Sequence, residues 1–131
     1  MNRDILFRAK RVNGGKWLES MTISRGTIKR KAHDIFMEIS PDKWVGIIPE
    51  TVGQFTGLTD KNGNKIFEGD ILKINHNSEY KNPLLCEWDS YNACFKFTDK
   101  NDYDCAYYLN QKDLSQNEIT GNVFDNPKLL K

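Results

Sequence analysis

The chain has 131 residues with 19 basic and 18 acidic side chains, so its formal net charge is +1. Its length predicts one compact unit, and 38% hydrophobic with 28% charged residues excludes a disordered chain. No window approaches 18 consecutive apolar residues, which argues against a membrane span, and the polar start predicts no secretory signal.

The charge is unevenly distributed along the chain. Residues 1–48 carry 10 basic and 5 acidic side chains, a balance of +5, whereas residues 49–131 carry 9 basic and 13 acidic ones, a balance of −4. The change falls at Pro49, whose ring fixes φ and favours an extended residue before it. We therefore predict an N-terminal β-rich part over residues 1–48 and a C-terminal part over residues 49–131.

Short strands and tight turns dominate the prediction for the N-terminal part. Apolar and polar residues alternate, and Asn13-Gly14 indicates a hairpin turn because both residues tolerate positive φ. Residues 24–34 are polar and basic. The predicted strands cover residues 5–12, 17–23, 35–39 and 44–48.

The C-terminal part is also predicted to be mainly β. No segment shows a helical stripe of ten or more residues, and Asn62-Gly63 indicates a second hairpin. Several short strands with tight turns predict a small, strongly bent barrel, with Gly57, Gly69 and Gly121 at bends or bulges. The predicted strands cover residues 55–58, 65–67, 70–75, 84–88, 93–98, 105–109 and 118–124, with one helical turn at 111–116.

The segment from Glu50 to Ile71 resembles the signature of the YopX family, small proteins found in bacteriophages and prophages. Three matching pieces follow in order, together with a closing one: Gln54-Phe55-Thr56-Gly57-Leu58, Asp60-Lys61-Asn62-Gly63, Ile66-Phe67-Glu68-Gly69-Asp70-Ile71 and Gly121-Asn122-Val123-Phe124-Asp125-Asn126-Pro127. Phe7-Arg8-Ala9 and Met21 fit the family's usual start, but Lys10-Arg11 replaces its common Trp-Asp.

The resemblance implies an SH3-like β-barrel in the C-terminal part, and it supplies no catalytic, ligand or cofactor residues. We interpret the signature as structural. Its members are Gln54, Thr56, Gly57, Asp60, Asn62, Gly63, Glu68, Gly69, Asp70, Gly121, Asn122 and Pro127.

Two carboxylate patterns have alternative interpretations. Asp60, Asn62 and Asn64 match the first ligands of a calcium loop, but Lys65 and Ile71 occupy the positions that need glycine and glutamate. Glu68-Gly69-Asp70 offers paired carboxylates for acid–base chemistry, although Gly-Asp before an apolar strand is also typical of a turn. Structural turns are the favoured interpretation of both.

The cysteines and histidines do not form a metal-binding pattern. Cys86, Cys94 and Cys105 contain no Cys-x-x-Cys pair, and His33 lies 43 residues before His76. We predict no metal and no cofactor, and reduced cysteines in the cytoplasm of a bacterial host.

Two groups of residues are candidate binding sites. The basic group, Arg25, Lys29, Arg30 and Lys31, suits a nucleic-acid backbone, a solvated loop or the acidic C-terminal part. The tyrosine group suits either a protein interface or the wall of a barrel. It consists of Tyr91, Tyr103, Tyr107 and Tyr108, which lie among acidic residues.

Three functional hypotheses follow. The first is a non-enzymatic phage or prophage accessory protein that binds an unknown protein partner. The second is a nucleic-acid-binding regulator that uses residues 25–31. The third is an enzyme whose site is assembled from distant residues, although no nucleophile motif or phosphate loop is present. A homo-oligomer is compatible with the sequence but not required by it.

Overall fold

The computed structural model describes residues 4–25, 35–73 and 82–130. The chain is mainly β and divides into two compact units, Met1–Phe55 and Thr56–Lys131. The division falls inside a strand, seven residues after the boundary expected from the change of charge. In the described ranges no helix is long and apolar enough to cross a membrane.

The first unit contains two antiparallel groups of strands. In one, β1 pairs with β2 and, through Phe7 and Gln54, with the start of β6. In the other, β4 lies between β3 and β5. The strands are β1 (Phe7–Lys10), β2 (Trp17–Ser20), β3 (Ile23–Arg25), β4 (Ile35–Ser40), β5 (Lys43–Ile47) and β6 (Gly53–Thr59), with a 3₁₀ turn at Pro49–Thr51.

The core of the first unit is built on residues that alternate along the strands. Ala9, Met37 and Ile47 are buried. Partly buried apolar side chains pack around them, namely Phe7, Leu18, Ile23, Ile35, Ile39 and Val52. Thr51 fixes the 3₁₀ turn to β1, since its hydroxyl accepts a hydrogen bond from Lys10 N at 2.9 Å and donates one to Ile48 O.

The second unit is dominated by a five-stranded antiparallel sheet in the order β11-β10-β9-β8-β12, and β7 pairs with β6 beside it. Its elements are β7 (Lys65–Phe67), β8 (Asp70–Lys73), β9 (Leu84–Asp89), β10 (Cys94–Asp99), β11 (Cys105–Tyr107), α1 (Gln111–Leu114) and β12 (Glu118–Asn122), with a 3₁₀ turn at Pro127–Leu130.

One face of this sheet forms the larger hydrophobic core. Leu72, Cys86 and Phe97 come from adjacent strands, and Leu114 of α1 is fully buried among them. A capping box begins α1, because Asn110 accepts from Asp113 N while the Asp113 carboxylate accepts from Asn110 N. This short helix therefore contributes one fully buried side chain to the core.

The mainly β prediction is confirmed, but the prediction of a closed SH3-like barrel is not. None of the sheets formed by the described strands closes on itself. The strand from residue 70 is described only as far as Lys73, so its predicted end at residue 75 lies outside the described residues.

Candidate functional site

The Asp60 carboxylate is the hydrogen-bonding centre of the signature loop. It is 4% exposed, and its Oδ1 accepts from the backbone N–H groups of Asn62 and Asn64, both at 2.9 Å. Its Oδ2 accepts from Ile119 N at 3.0 Å. One carboxylate thus shapes the hairpin loop and joins it to β12.

Further contacts reinforce this junction. Lys61 N donates to Asn117 O at 2.8 Å, and the Lys61 ammonium lies 3.6 Å from a Glu118 carboxylate oxygen. Burial acts to raise the pKa of Asp60, but the hydrogen bonds from Ile119, Asn64 and Asn62 outweigh it, so the pKa is lowered. Asp60 is an anion held by backbone donors, as in an Asx turn.

The middle of the signature supplies two more local devices. The buried Thr56 hydroxyl donates to Ile66 O at 2.8 Å and accepts from Leu58 N at 3.1 Å. The Asp70 carboxylate accepts from Phe67 N at 2.8 Å across a turn in which Gly69 has φ +96°. Both arrangements hold β7 in place, and the second is the turn favoured for Glu68-Gly69-Asp70.

The closing part of the signature forms a compact C-terminal turn. Asn122 Oδ1 accepts from Phe124 N and Asp125 N, while Asn122 N donates to Asn126 Oδ1. A Cβ on Gly121 would lie 2.5 Å from Asn126 Oδ1, so a side chain there would displace the turn. Pro127 begins the final 3₁₀ turn.

Two of the four candidate tyrosines flank the Asp89 carboxylate. Asp89 Oδ2 accepts from the Tyr108 hydroxyl at 2.7 Å and from Asn92 Nδ2 at 2.8 Å, and its Oδ1 accepts from Tyr91 N and Asn92 N. The Tyr91 side chain itself is 94% exposed. The β9–β10 turn therefore holds Tyr108 firmly and leaves Tyr91 open to solvent.

The hydrogen bonds in this network shift the pKa values of Asp89 and Tyr108 in opposite directions. The hydrogen bond from Tyr108, followed by that from Asn92, lowers the pKa of Asp89 to about 2. The same bond to the Asp89 carboxylate raises the pKa of Tyr108. Asp89 is thus an acceptor, and its pKa lies far below the range required of a general base at neutral pH.

Tyr103 lies in a different turn, between β10 and β11. Cys105 N donates to Asp102 O at 3.0 Å, and both central residues are left-handed, with φ +53° at Tyr103 and φ +56° at Asp104. This conformation is that of a hairpin turn that prefers Asn-Gly. The Tyr103 side chain is nevertheless completely exposed, at 101% of its reference area.

The four tyrosines do not form one surface. Tyr91 precedes β10 and Tyr103 follows it, so about 17–20 Å of strand separates the two turns. Tyr107 packs against the hydrophobic core, and its neighbour Cys105, together with burial, raises its pKa to about 12. The structure therefore divides the group into a partly buried residue, Tyr107, an exposed residue bonded to Asp89, Tyr108, and two exposed turn residues, Tyr91 and Tyr103.

Most of the basic group lies outside the described residues. The residues outside the described ranges include Lys29, Arg30 and Lys31, and also His33 and His76. Arg25, in contrast, is the last residue of β3 and is exposed.

A cation–π contact joins β1 and β2. The guanidinium carbon of Arg8 lies 4.8 Å from the centroid of the Trp17 ring. The sequence prediction did not include this contact. The usable signal was the hairpin predicted across Asn13-Gly14, because it pairs the strand that carries Arg8 with the strand that carries Trp17.

The three cysteines are free, and each lies in a strand. Cys86 is buried, Cys94 is partly buried and Cys105 is exposed. Among the residues that the structure describes, no group of three histidine, cysteine or carboxylate side chains is placed to hold a metal ion.

The comparisons with known proteins identify the family. The family described as "YopX protein" matches residues 6–131, essentially the whole chain, so the protein belongs to the YopX family. No curated protein sequence matches the chain.

One solved structure supports the fold. The chain is similar to the crystal structure of protein EF1440 from Enterococcus faecalis, with a TM-score of 0.58 and 23% sequence identity. The match covers 98% of this chain and 99% of that chain. At this level of identity the likeness concerns the fold alone.

Proposed function

We propose that this YopX-family chain is a non-enzymatic interaction module that binds a protein partner through the exposed β10–β11 turn. The observation that carries the proposal is the complete exposure of Tyr103 in a left-handed conformation. A non-glycine residue there costs roughly 1 kcal/mol, so the turn itself gains nothing from an aromatic side chain. Tyrosine is enriched at binding hot spots.

The charge around Tyr103 favours a basic partner. Asp102 and Asp104 flank it, and both are exposed. Lys100 lies 3.0 Å from Glu87 and 3.7 Å from Asp104, so this cation is shared between two carboxylates and neutralises only part of the charge. An acidic turn with a protruding aromatic residue suits a positively charged protein surface with an apolar pocket.

The absence of a catalytic role is part of the same proposal. The polar residues of the signature make the structural contacts described above: Thr56, Asp60, Asp70 and Asn122 all bond backbone groups. A carboxylate occupied by backbone donors is a poor general base. This use of the signature supports binding rather than turnover.

An SH3-like architecture of the second unit also belongs to the proposal. Strands β8 to β11 form an antiparallel meander, and β12, which follows the single turn of α1, pairs with β8. This is the strand order of SH3-like domains, with a helical turn before the last strand. The family's occurrence in bacteriophages and prophages, with three free cysteines, supports action in the cytoplasm of a bacterial host.

Affinity capture from cells that naturally express the chain tests the binding proposal. The bait is the full chain, compared with Tyr103→Asn, because asparagine tolerates the left-handed conformation. We expect a protein retained by the wild type, and by the exposed helix control Lys112→Ala, to be lost with Tyr103→Asn. Nuclease treatment should leave its recovery unchanged. The same protein on both baits, or retention only without nuclease, would contradict the proposal.

Nucleic-acid binding by Arg25, Lys29, Arg30 and Lys31 is the second candidate. It rests on the +5 balance of residues 1–48 and on the exposed position of Arg25 at the end of β3. Binding of an oligonucleotide should then fall steeply with salt, and again in a triple alanine variant of Lys29, Arg30 and Lys31. An absence of binding at about 50 mM salt would remove this candidate.

A further inference from the structure

Two exposed turns of the chain contain the same dipeptide, asparagine followed by glycine. Asn13-Gly14 lies in the turn between β1 and β2, and Asn62-Gly63 lies in the turn between β6 and β7. All four residues are exposed. In the described part of the chain, no atom beyond the adjacent residues would lie within 4 Å of a Cβ on either glycine. The glycines also share a left-handed backbone, with φ +89° and +79°. Exposure and backbone conformation therefore do not distinguish the two turns.

An asparagine that precedes a glycine can lose its side-chain amide without an enzyme. The glycine backbone nitrogen, once hydroxide has removed its proton, attacks the asparagine Cγ and forms a five-membered succinimide ring. The bond from Cγ to the side-chain nitrogen breaks, and that nitrogen leaves as ammonia. Water then adds to one of the two ring carbonyls and opens the ring to aspartate or isoaspartate. Glycine favours the reaction because no side chain shields its nitrogen.

Hydrogen bonds occupy the reacting groups in the second turn. Gly63 N donates to Asp60 O at 3.0 Å, so loss of its proton would place an anionic nitrogen against a carbonyl oxygen. The side-chain amide of Asn62 makes a weaker contact of 3.5 Å with the Glu118 carboxylate, and Asn62 N donates to Asp60 Oδ1 at 2.9 Å. The attacking nitrogen is therefore hydrogen-bonded, and the side chain that it must reach is held away from it.

The first turn leaves the same groups open. Its backbone hydrogen bonds run from Arg11 N to Lys16 O at 2.8 Å and from Gly15 N to Arg11 O at 3.1 Å. Among the described residues, neither the Gly14 N–H nor the Asn13 side chain has a hydrogen-bond partner. Gly14 N therefore loses its proton without breaking a hydrogen bond within the protein.

The charges around the two turns favour reaction at the first. Three basic side chains and no acidic one lie within three residues of Asn13. Two basic side chains and one acidic one lie within the same distance of Asn62, and the Glu118 carboxylate adds a second negative charge there. The local charge is thus +3 in the first turn and zero in the second. Nearby cations favour the deprotonated amide that starts the reaction.

We propose that Asn13 is a site of spontaneous deamidation in the folded protein, whereas Asn62 is protected by the hydrogen bonds of the signature loop. A hydrogen bond of ordinary net strength corresponds to a change in rate of about three- to tenfold. The products at residue 13 are aspartate and isoaspartate, and isoaspartate adds a methylene group to the backbone of the turn.

The reaction alters a turn that is bonded to a neighbouring strand. Asn13 lines a cavity of about 500 Å³ together with Trp44 and Gly46 of β5. Val12 N donates to Gly46 O at 3.0 Å, so the turn contacts β5 as well as connecting β1 to β2. Deamidation adds a carboxylate to the cavity lining and lowers the charge balance of residues 1–48 from +5 to +4. The longer isoaspartyl backbone should weaken the bond between Val12 and Gly46.

Peptide mapping of the full chain by mass spectrometry tests the proposal. The protein is incubated in mildly alkaline buffer, either folded or unfolded in guanidinium chloride, and is then digested with pepsin in acid, where deamidation is slow. In the folded protein we expect Asn13 to react about three- to tenfold faster than Asn62, and the rate to rise with pH. In the unfolded chain we expect the two rates to be nearly equal, because glycine follows both residues.

Three variants locate the effect. Asn13→Gln should remove the fast reaction, because glutamine must form a six-membered ring. Glu118→Ala removes the contact to the Asn62 side chain, and Asn62 should then react about two- to fivefold faster, the range of an exposed ionic contact. Asp102→Ala removes an equal charge from an exposed position in the β10–β11 turn and should leave both rates unchanged.

Three results would overturn the proposal. Equal rates at Asn13 and Asn62 in the folded protein would show that the hydrogen bonds of the signature loop give no protection. A faster reaction at Asn62 would reverse the assignment. The same ratio of rates in the folded and the unfolded chain would attribute the difference to neighbouring residues rather than to the structure.

Discussion

The carboxylate of Asp60 accepts a hydrogen bond from the backbone N–H of Ile119 at 3.0 Å, across 59 positions of the chain. Asp60 opens the Asn-Gly loop of the signature, and Ile119 is the second residue of β12, the strand that leads into the closing Gly121-Asn122. One buried carboxylate therefore links the Asn-Gly loop to the strand that runs into the closing motif.

Removing this acceptor should destabilise the fold. In Asp60→Ala, three backbone N–H groups lose their partner in a site that is 4% exposed, so we expect the free energy of unfolding to fall by about 2–4 kcal/mol. Urea unfolding measures it. The exposed Asp102 is a matched control, and Asp102→Ala should change stability by less than about 0.5 kcal/mol. Equal effects of the two variants would contradict a structural role for Asp60.

The hydrogen bonds to Asp89 make the stability of the protein depend on pH. Because its folded-state pKa of about 2 lies below the ordinary 3.8, the network stabilises the protein above pH 3.8. That contribution is lost as the pH falls toward the folded-state pKa. We therefore expect Tyr108→Phe, which removes the strongest donor, to raise the pKa of Asp89 toward its ordinary value, as measured by carboxylate NMR titration. Tyr91→Phe, whose exposed hydroxyl does not contact Asp89, is the control; an unchanged titration in Tyr108→Phe would refute the assignment.

The two glycines Gly121 and Gly46 should respond differently to the same substitution. Gly121→Ala places a methyl group 2.5 Å from Asn126 Oδ1 and 2.9 Å from Leu129 Cδ1, so we expect a loss of about 1–3 kcal/mol. Gly46→Ala meets only ordinary contacts, and a change below about 0.5 kcal/mol is expected. Thermal or urea unfolding of the two variants measures these changes in stability. An unchanged stability of Gly121→Ala would mean that the C-terminal turn adapts to the side chain.

Much of the strand pattern could be predicted because it is local. Alternation and Asn-Gly turns placed strands at residues 17–23, 35–39 and 84–88, where the structure has Trp17–Ser20, Ile35–Ser40 and Leu84–Asp89. The Asn110–Asp113 capping box lies within one turn, and the helical turn predicted at 111–116 is observed at Gln111–Leu114. Such features depend on neighbouring residues, whose types are visible in the sequence.

The site could not be predicted to the same extent because its contacts are not local. Asp89 and Tyr108 are 19 residues apart, and only the register of β9, β10 and β11 brings them together. Composition placed Tyr91 and Tyr103 in one group, whereas the intervening β10 separates them. The cavity at Trp44 depends on the pairing of Val12 with Gly46, which no periodicity indicates.

The central claim is that Tyr103 is exposed for a partner and does not support the fold. The free energy of unfolding of Tyr103→Asn in urea tests it most directly, on the same protein used as bait. The turn geometry leads us to expect an increase of about 0.5–1 kcal/mol, because asparagine suits φ +53° better than tyrosine does. A decrease of more than about 0.5 kcal/mol would contradict the claim, since it would show that the tyrosine ring contributes to folding.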